Sequence, residues 1–274
     1  MAYLARCCAL LLTLFGACAA AAQPAAPVSS GEIDRIREEL GIGRFKAPSI
    51  DTVFDHLAAL EPLSFDNLWR PLPDRLPSDR PRMAMLAGGL IADGFLVVES
   101  QRRSKIEPVG HGLVRLAKGL GIAERLTKRA RHVTELAEHE KWPDIRKELM
   151  KTQAEAEAAL LNLKDEDLVH LVALGGWLRG LEITSGAIAD SYTPDRATRV
   201  FRPELADVFI NRIHDFQPHL RTNALIRELE KDLEEIRDTL PKRDRDRSKP
   251  LSLSDVKSIH DSARDANRLI AGED

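Results

Sequence analysis

The stretch L-G-G-W-L-R-G-L-E, Leu174–Glu182, decides how the chain is read. It sits in an apolar run that lacks the period-two alternation of a half-buried strand. Its neighbours Leu168, Leu171, Leu174, Leu178 and Leu181 recur at helical spacing. Yet it carries Gly175, Gly176 and Gly180, and each mid-helix glycine costs about 0.8–1.0 kcal/mol relative to alanine. That cost is offset where a second backbone, or a ligand, needs the space a side chain would fill.

A second run has the same character. Met83 to Arg102 contains Gly88, Gly89 and Gly94 and is apolar nearly all round over 83–98. A helix apolar on every face is buried on every face. The two runs, about 83–102 and 166–190, are therefore expected to form a central pair. The fold class expected is all-α: a multi-helix bundle with these two helices surrounded by amphipathic ones. A local echo, G-L-I-A-D-G-F at 89–95 and G-A-I-A-D-S-Y at 186–192, aligns in a different register from the double glycines. It reads as shared composition rather than a clean duplication.

Outward from the pair, the pattern predicts helices over 31–40, 52–60, 108–120, 122–140, 143–163, 204–216, 221–240 and 254–270. Pro108 and Pro143 are placed in first turns, Gly121 at a stop, and Asp165 and Ser254 at N-caps. Prolines at 62, 71, 73, 77 and 81 predict an irregular segment over 62–81, pinned to the body by Trp69. The segment 241–250, P-K-R-D-R-D-R-S-K-P, reads as a solvated loop.

The N-terminus reads as an export signal. Arg6 precedes the apolar run Cys7–Phe15, which is too short to span a bilayer. Two processing routes fit. Ala20-Ala21-Ala22 suits cleavage before Gln23, giving a signal peptide over 1–22. Phe15-Gly16-Ala17-Cys18 resembles a bacterial lipobox, which would lipidate Cys18; Phe15 departs from the leucine usual there. Residues 23–29 form a Pro/Ala linker, and 30–274 a single helical domain. All three cysteines, Cys7, Cys8 and Cys18, lie in or beside the signal. The remainder has neither a disulfide nor a thiolate nucleophile or metal ligand.

With 43% hydrophobic and 30% charged residues the composition is globular. Cleavage removes Arg6 and no acid, leaving 39 basic and 43 acidic residues. This balance gives no electrostatic case for nucleic acid. Basic clusters at 101–105 and 128–132 read as solvated helix ends or faces, with contact to anionic lipid or polysaccharide the minor alternative.

Polar residues on the two central runs mark the place to look for chemistry. Asp93, His170, Trp177, Arg179 and Glu182 are the candidate ligand-binding set, with Trp177 as the wall of a pocket and Arg179 facing an anionic ligand. The competing view makes Arg179, Glu182 and Asp93 a structural ion cluster that fixes helix register. Asp167-x-x-His170 is half of a di-iron signature, and Asn211-x-x-His214 lacks the carboxylate needed to complete it. No metal site and no cofactor is expected. Hydrolase, zinc-protease, phosphate-loop, dinucleotide and haem-attachment signatures are missing from the sequence. The expectation is an exported, non-enzymatic helical protein of the bacterial cell envelope, periplasmic or lipid-anchored, that binds a partner or small ligand. The alternative is an enzyme or a metal or ligand carrier using the central polar cluster.

Overall fold

The computed structural model describes residues 55, 57–71, 73, 75–163, 165–198, 204–239 and 250–273. The expected signal and linker (1–29, with Cys18), the helix expected over 31–40, most of that over 52–60, and loop residues 241–249 lie outside them. The fold is all-α, a bundle of packed helices with no strand among the described residues. In chain order these are α1 (Phe65–Leu68), α2 (Arg80–Glu99), α3 (Arg103–Leu120), α4 (Ala123–Glu138), α5 (Trp142–Asn162) and α6 (Glu166–Asp190). Then follow α7 (Pro194–Ala197), α8 (Glu204–Asp215), α9 (Pro218–Arg221), α10 (Ala224–Thr239) and α11 (Leu253–Ala271).

The expected central pair is α2 and α6, which share the most extensive contact in the molecule. Both are buried along nearly their whole length. On one side α3 packs on α2, α4 on α3 and α5 on α4, and α5 closes back onto both central helices. On the other side α11 lies along α6 and also touches α2, with α10 on α11 and α8 on α10. The amphipathic helices thus turn their apolar stripes inward as their spacing requires. Among the described residues only α2 is long and apolar enough to cross a membrane, and 83% of its apolar window is buried inside the protein. Burial of this kind is what a core helix needs.

Glycine sets the approach of the pair. A methyl group at Gly88 would lie 1.9 Å from the Val172 carbonyl oxygen, and one at Gly175 would lie 1.9 Å from that of Met85. At Gly176 it would meet the Gly88 carbonyl at 3.3 Å. The main chains of α2 and α6 nearly touch here, and no larger residue fits at Gly88 or Gly175. Gly180 differs: an added methyl would find nothing within 4 Å. The expectation of a second backbone over every glycine of the stretch fails at that position.

Several boundaries differ from those expected. Asp79 caps α2 by accepting from the Arg82 amide at 2.9 Å, so the helix begins at Arg80 and takes Pro81 into its first turn. Pro108 lies inside α3, which starts at Arg103. Ser104 and Pro108 are both exposed, so water can satisfy the carbonyl that the proline leaves unbonded. Asp165 makes no side-chain cap for α6 and instead pairs with Arg80 at 3.2 Å. The helix expected over 221–240 starts three residues later, as α10: Arg221 closes the short α9, and the Asn223 side chain accepts from the Leu225 amide at 2.9 Å where α10 begins. Ser252, not Ser254, caps α11, because Asp255 three residues on completes a capping box. Trp69 stacks on Phe65 at 5.5 Å and packs against the core, so the proline-rich segment is pinned as expected.

Candidate functional site

Among the described residues Arg179 is the largest fully buried side chain, 1% exposed. Position 179 lies about 400° along α6 from Gly175, on the face that meets α2. Its Nε donates to Asp93 Oδ1 at 2.8 Å, its Nη1 pairs with Glu182 Oε2 at 2.8 Å, and its Nη2 donates to the Leu68 carbonyl. Burial works to lower the Arg179 pKa, but Asp93 and Glu182 more than reverse it, so the guanidinium is held charged. Glu182 is also bound from α11: Asn267 Nδ2 donates to its Oε2 at 2.9 Å. The ring of His260 meets the Glu182 carbonyl at 3.0 Å. Arg70 approaches Asp93 at 3.8 Å, and burial lowers its pKa despite that carboxylate.

Two cations and two carboxylates thus balance in a closed network that joins α2, α6, α11 and the segment after α1. This gives each buried charge a partner, the condition under which such charges are tolerated. Sequence spacing identified Asp93, Arg179 and Glu182. It missed Arg70, His260, Asn267 and the Leu68 carbonyl, which are 78 to 111 residues distant from the α6 groups they serve or join through Asp93. No local pattern could have signalled them.

The other two candidates lie elsewhere. On a helix of 3.6 residues per turn, His170 and Trp177 share a face roughly opposite that of Arg179. Trp177 packs its ring against Phe209 of α8 at 5.3 Å, and its indole Nε1 is buried without a hydrogen-bond partner. His170 is buried one turn from Asp167, whose carboxylate accepts from the Gln217 amide at 3.3 Å. Trp177 is therefore not the wall of a pocket at Arg179, and the five-residue set does not form one site. Helical phase separates it, because a shift of two residues turns a side chain by about 200°. Among the described residues no three His, Cys, Asp or Glu side chains gather as a metal-ion site would require.

A second charged bridge joins α4 to α5, where Arg129 pairs with both Glu148 and Glu155. The two carboxylates raise the Arg129 pKa, Glu155 foremost. Beside this bridge lies a partly open apolar pocket of about 50 Å³ between α2, α3, α4 and α5. Its walls include Ile106, Leu126 and Val133, with Gly94 and Gly110 thinning two of the helices. No protein family, curated protein or solved structure matches the chain.

Proposed function

We propose that the chain is an exported, non-enzymatic helical protein of the bacterial cell envelope that works by binding a partner or a small ligand. The saturation of Arg179 carries the non-enzymatic part. This guanidinium is 1% exposed and bonded to Asp93, Glu182 and the Leu68 carbonyl, and Gly88 and Gly175, where α2 meets α6, admit a helix rather than a ligand. A catalytic or anion-binding arginine needs a free edge facing an opening. Export rests on the sequence: the apolar run Cys7–Phe15 behind Arg6, and the confinement of all cysteines to the first 18 positions.

Two measurements test this. Cell fractionation with mass spectrometry of the mature N-terminus should find either Gln23 or a lipid-modified Cys18 in the envelope. An intact Met1 in the cytoplasm overturns the export half. A thermal-shift screen of small anions on the native chain and on Arg179→Met/Glu182→Leu tests the other half. An anion that stabilises the native protein and not the variant would make the cluster a ligand site.

A further inference from the structure

We infer that the pocket between α2, α3, α4 and α5 binds the hydrocarbon end of a long-chain fatty acid, with the carboxylate held by the basic α3–α4 hairpin. This deepens the ligand-binding reading above and does not depend on export. The pocket lining is hydrocarbon except for Thr152, and the Thr152 hydroxyl already donates to the Glu148 carbonyl at 2.8 Å. The one hydroxyl in the lining has its hydrogen already committed and every other wall is hydrocarbon, so the match is an apolar chain. A volume of about 50 Å³ is a third of the ~150 Å³ that holds a benzene ring, so an unbranched chain end fits and a ring does not.

The glycines of this pocket differ from those of the central pair. A methyl at Gly94 would lie 3.5 Å from Val109 Cγ1, and one at Gly110 would lie 3.9 Å from Ala130 Cβ. Both are ordinary contacts, so packing does not require glycine at either place, although each weakens its helix relative to alanine. What their absence of a side chain provides is room in the pocket.

Charge selects the head group. Residues 103–138 carry eight Lys and Arg against four Glu, in a chain whose net charge is −3. Arg103, one turn before the pocket residue Ile106, and Arg131, next to the pocket residue Ala130, are exposed on this hairpin. An anionic amphiphile is complementary to it and a cationic one is not.

The test uses the purified protein and dodecanoate below its micelle concentration. Dodecanoate should raise the melting temperature and bind with saturable stoichiometry. Dodecyltrimethylammonium, the same chain with a cationic head, should bind at least tenfold more weakly. Gly94→Ala/Gly110→Ala should raise the ligand-free melting temperature and weaken dodecanoate at least tenfold. A fatty acid with a photoreactive chain terminus should label peptides from α2, α3, α4 or α5, a readout that stands if the double variant does not fold. Absence of dodecanoate binding, equal affinity for the cationic twin, unchanged affinity in the filled variant, or labelling confined to other helices each overturns the site. So does binding only to phosphatidylglycerol vesicles that salt abolishes and pocket filling does not affect. Such a failure leaves the fractionation result standing, so the two ideas fail separately.

Discussion

Arg179 shows how a buried charge becomes architecture. Its guanidinium is bound by Asp93 and Glu182, and Glu182 by Asn267, so removing the arginine strands carboxylates in the core. Arg179→Met should lower stability by about 3–5 kcal/mol, read by urea unfolding. Arg179→Met with Asp93→Leu and Glu182→Leu should recover much of that loss, because the carboxylates leave with the arginine and the remaining cation, Arg70, has a side chain 23% exposed to water. A triple variant no more stable than the single one would contradict the account. The glycines give a paired forecast. Gly175→Ala forces a methyl to within 1.9 Å of the Met85 carbonyl and should destabilise by about 1–3 kcal/mol or more. Gly180→Ala meets nothing and should stabilise by about 0.8–1.0 kcal/mol. Similar losses at both positions would refute the close-approach explanation of Gly175. The sequence marked both glycines equally, since only the neighbouring chain distinguishes them.

At the scale of elements, α10 and α11 meet along an acidic seam. Asp232 of α10 has its pKa pushed up to about 6, by burial first and then by Glu228, Glu235 and Asp265, with Lys231 opposing. A carboxyl whose pKa is higher folded than unfolded binds its proton more tightly in the native state. Its stabilising contribution is complete below the ordinary aspartate range, near pH 3.8, and is lost as pH rises through about 6. Thermal melts of Asp232→Asn should lack this decline across pH 4–6.5, and an unchanged pH profile would count against it. The long helices were legible because apolar periodicity is a local property, whereas the four-residue α1, α7 and α9 are too short to show a period and went unread. Helix ends were less legible. Either serine of the pair Ser252 and Ser254 could have capped α11, and the residue that did was fixed by its partner Asp255. Pro108 was misplaced because the carbonyl it leaves unbonded, that of Ser104, is on the exposed side of α3, where water can serve it and the helix can start five residues earlier.

Across the whole molecule, two lateral groups of helices enclose one central pair, and the buried apolar side chains form a contiguous core. Native-state hydrogen exchange should find the slowest amides in α2 and α6, opening only with global unfolding. The short α7 and α9 should exchange by local opening, and faster exchange in α2 than in α10 would overturn this hierarchy. The sequence by itself determined the helical class and the identity of the central pair, and marked the glycines as places where something must come close, because hydrophobic phase and glycine cost are encoded residue by residue. It also supplied three of the seven partners in the buried ion network. Only the tertiary structure decided that Arg179 is closed off, that His170 and Trp177 face the other way, and that a small apolar pocket lies under the α3–α4 hairpin. Those outcomes depend on which helix faces which, and contacts between residues a hundred positions apart leave no trace in local spacing.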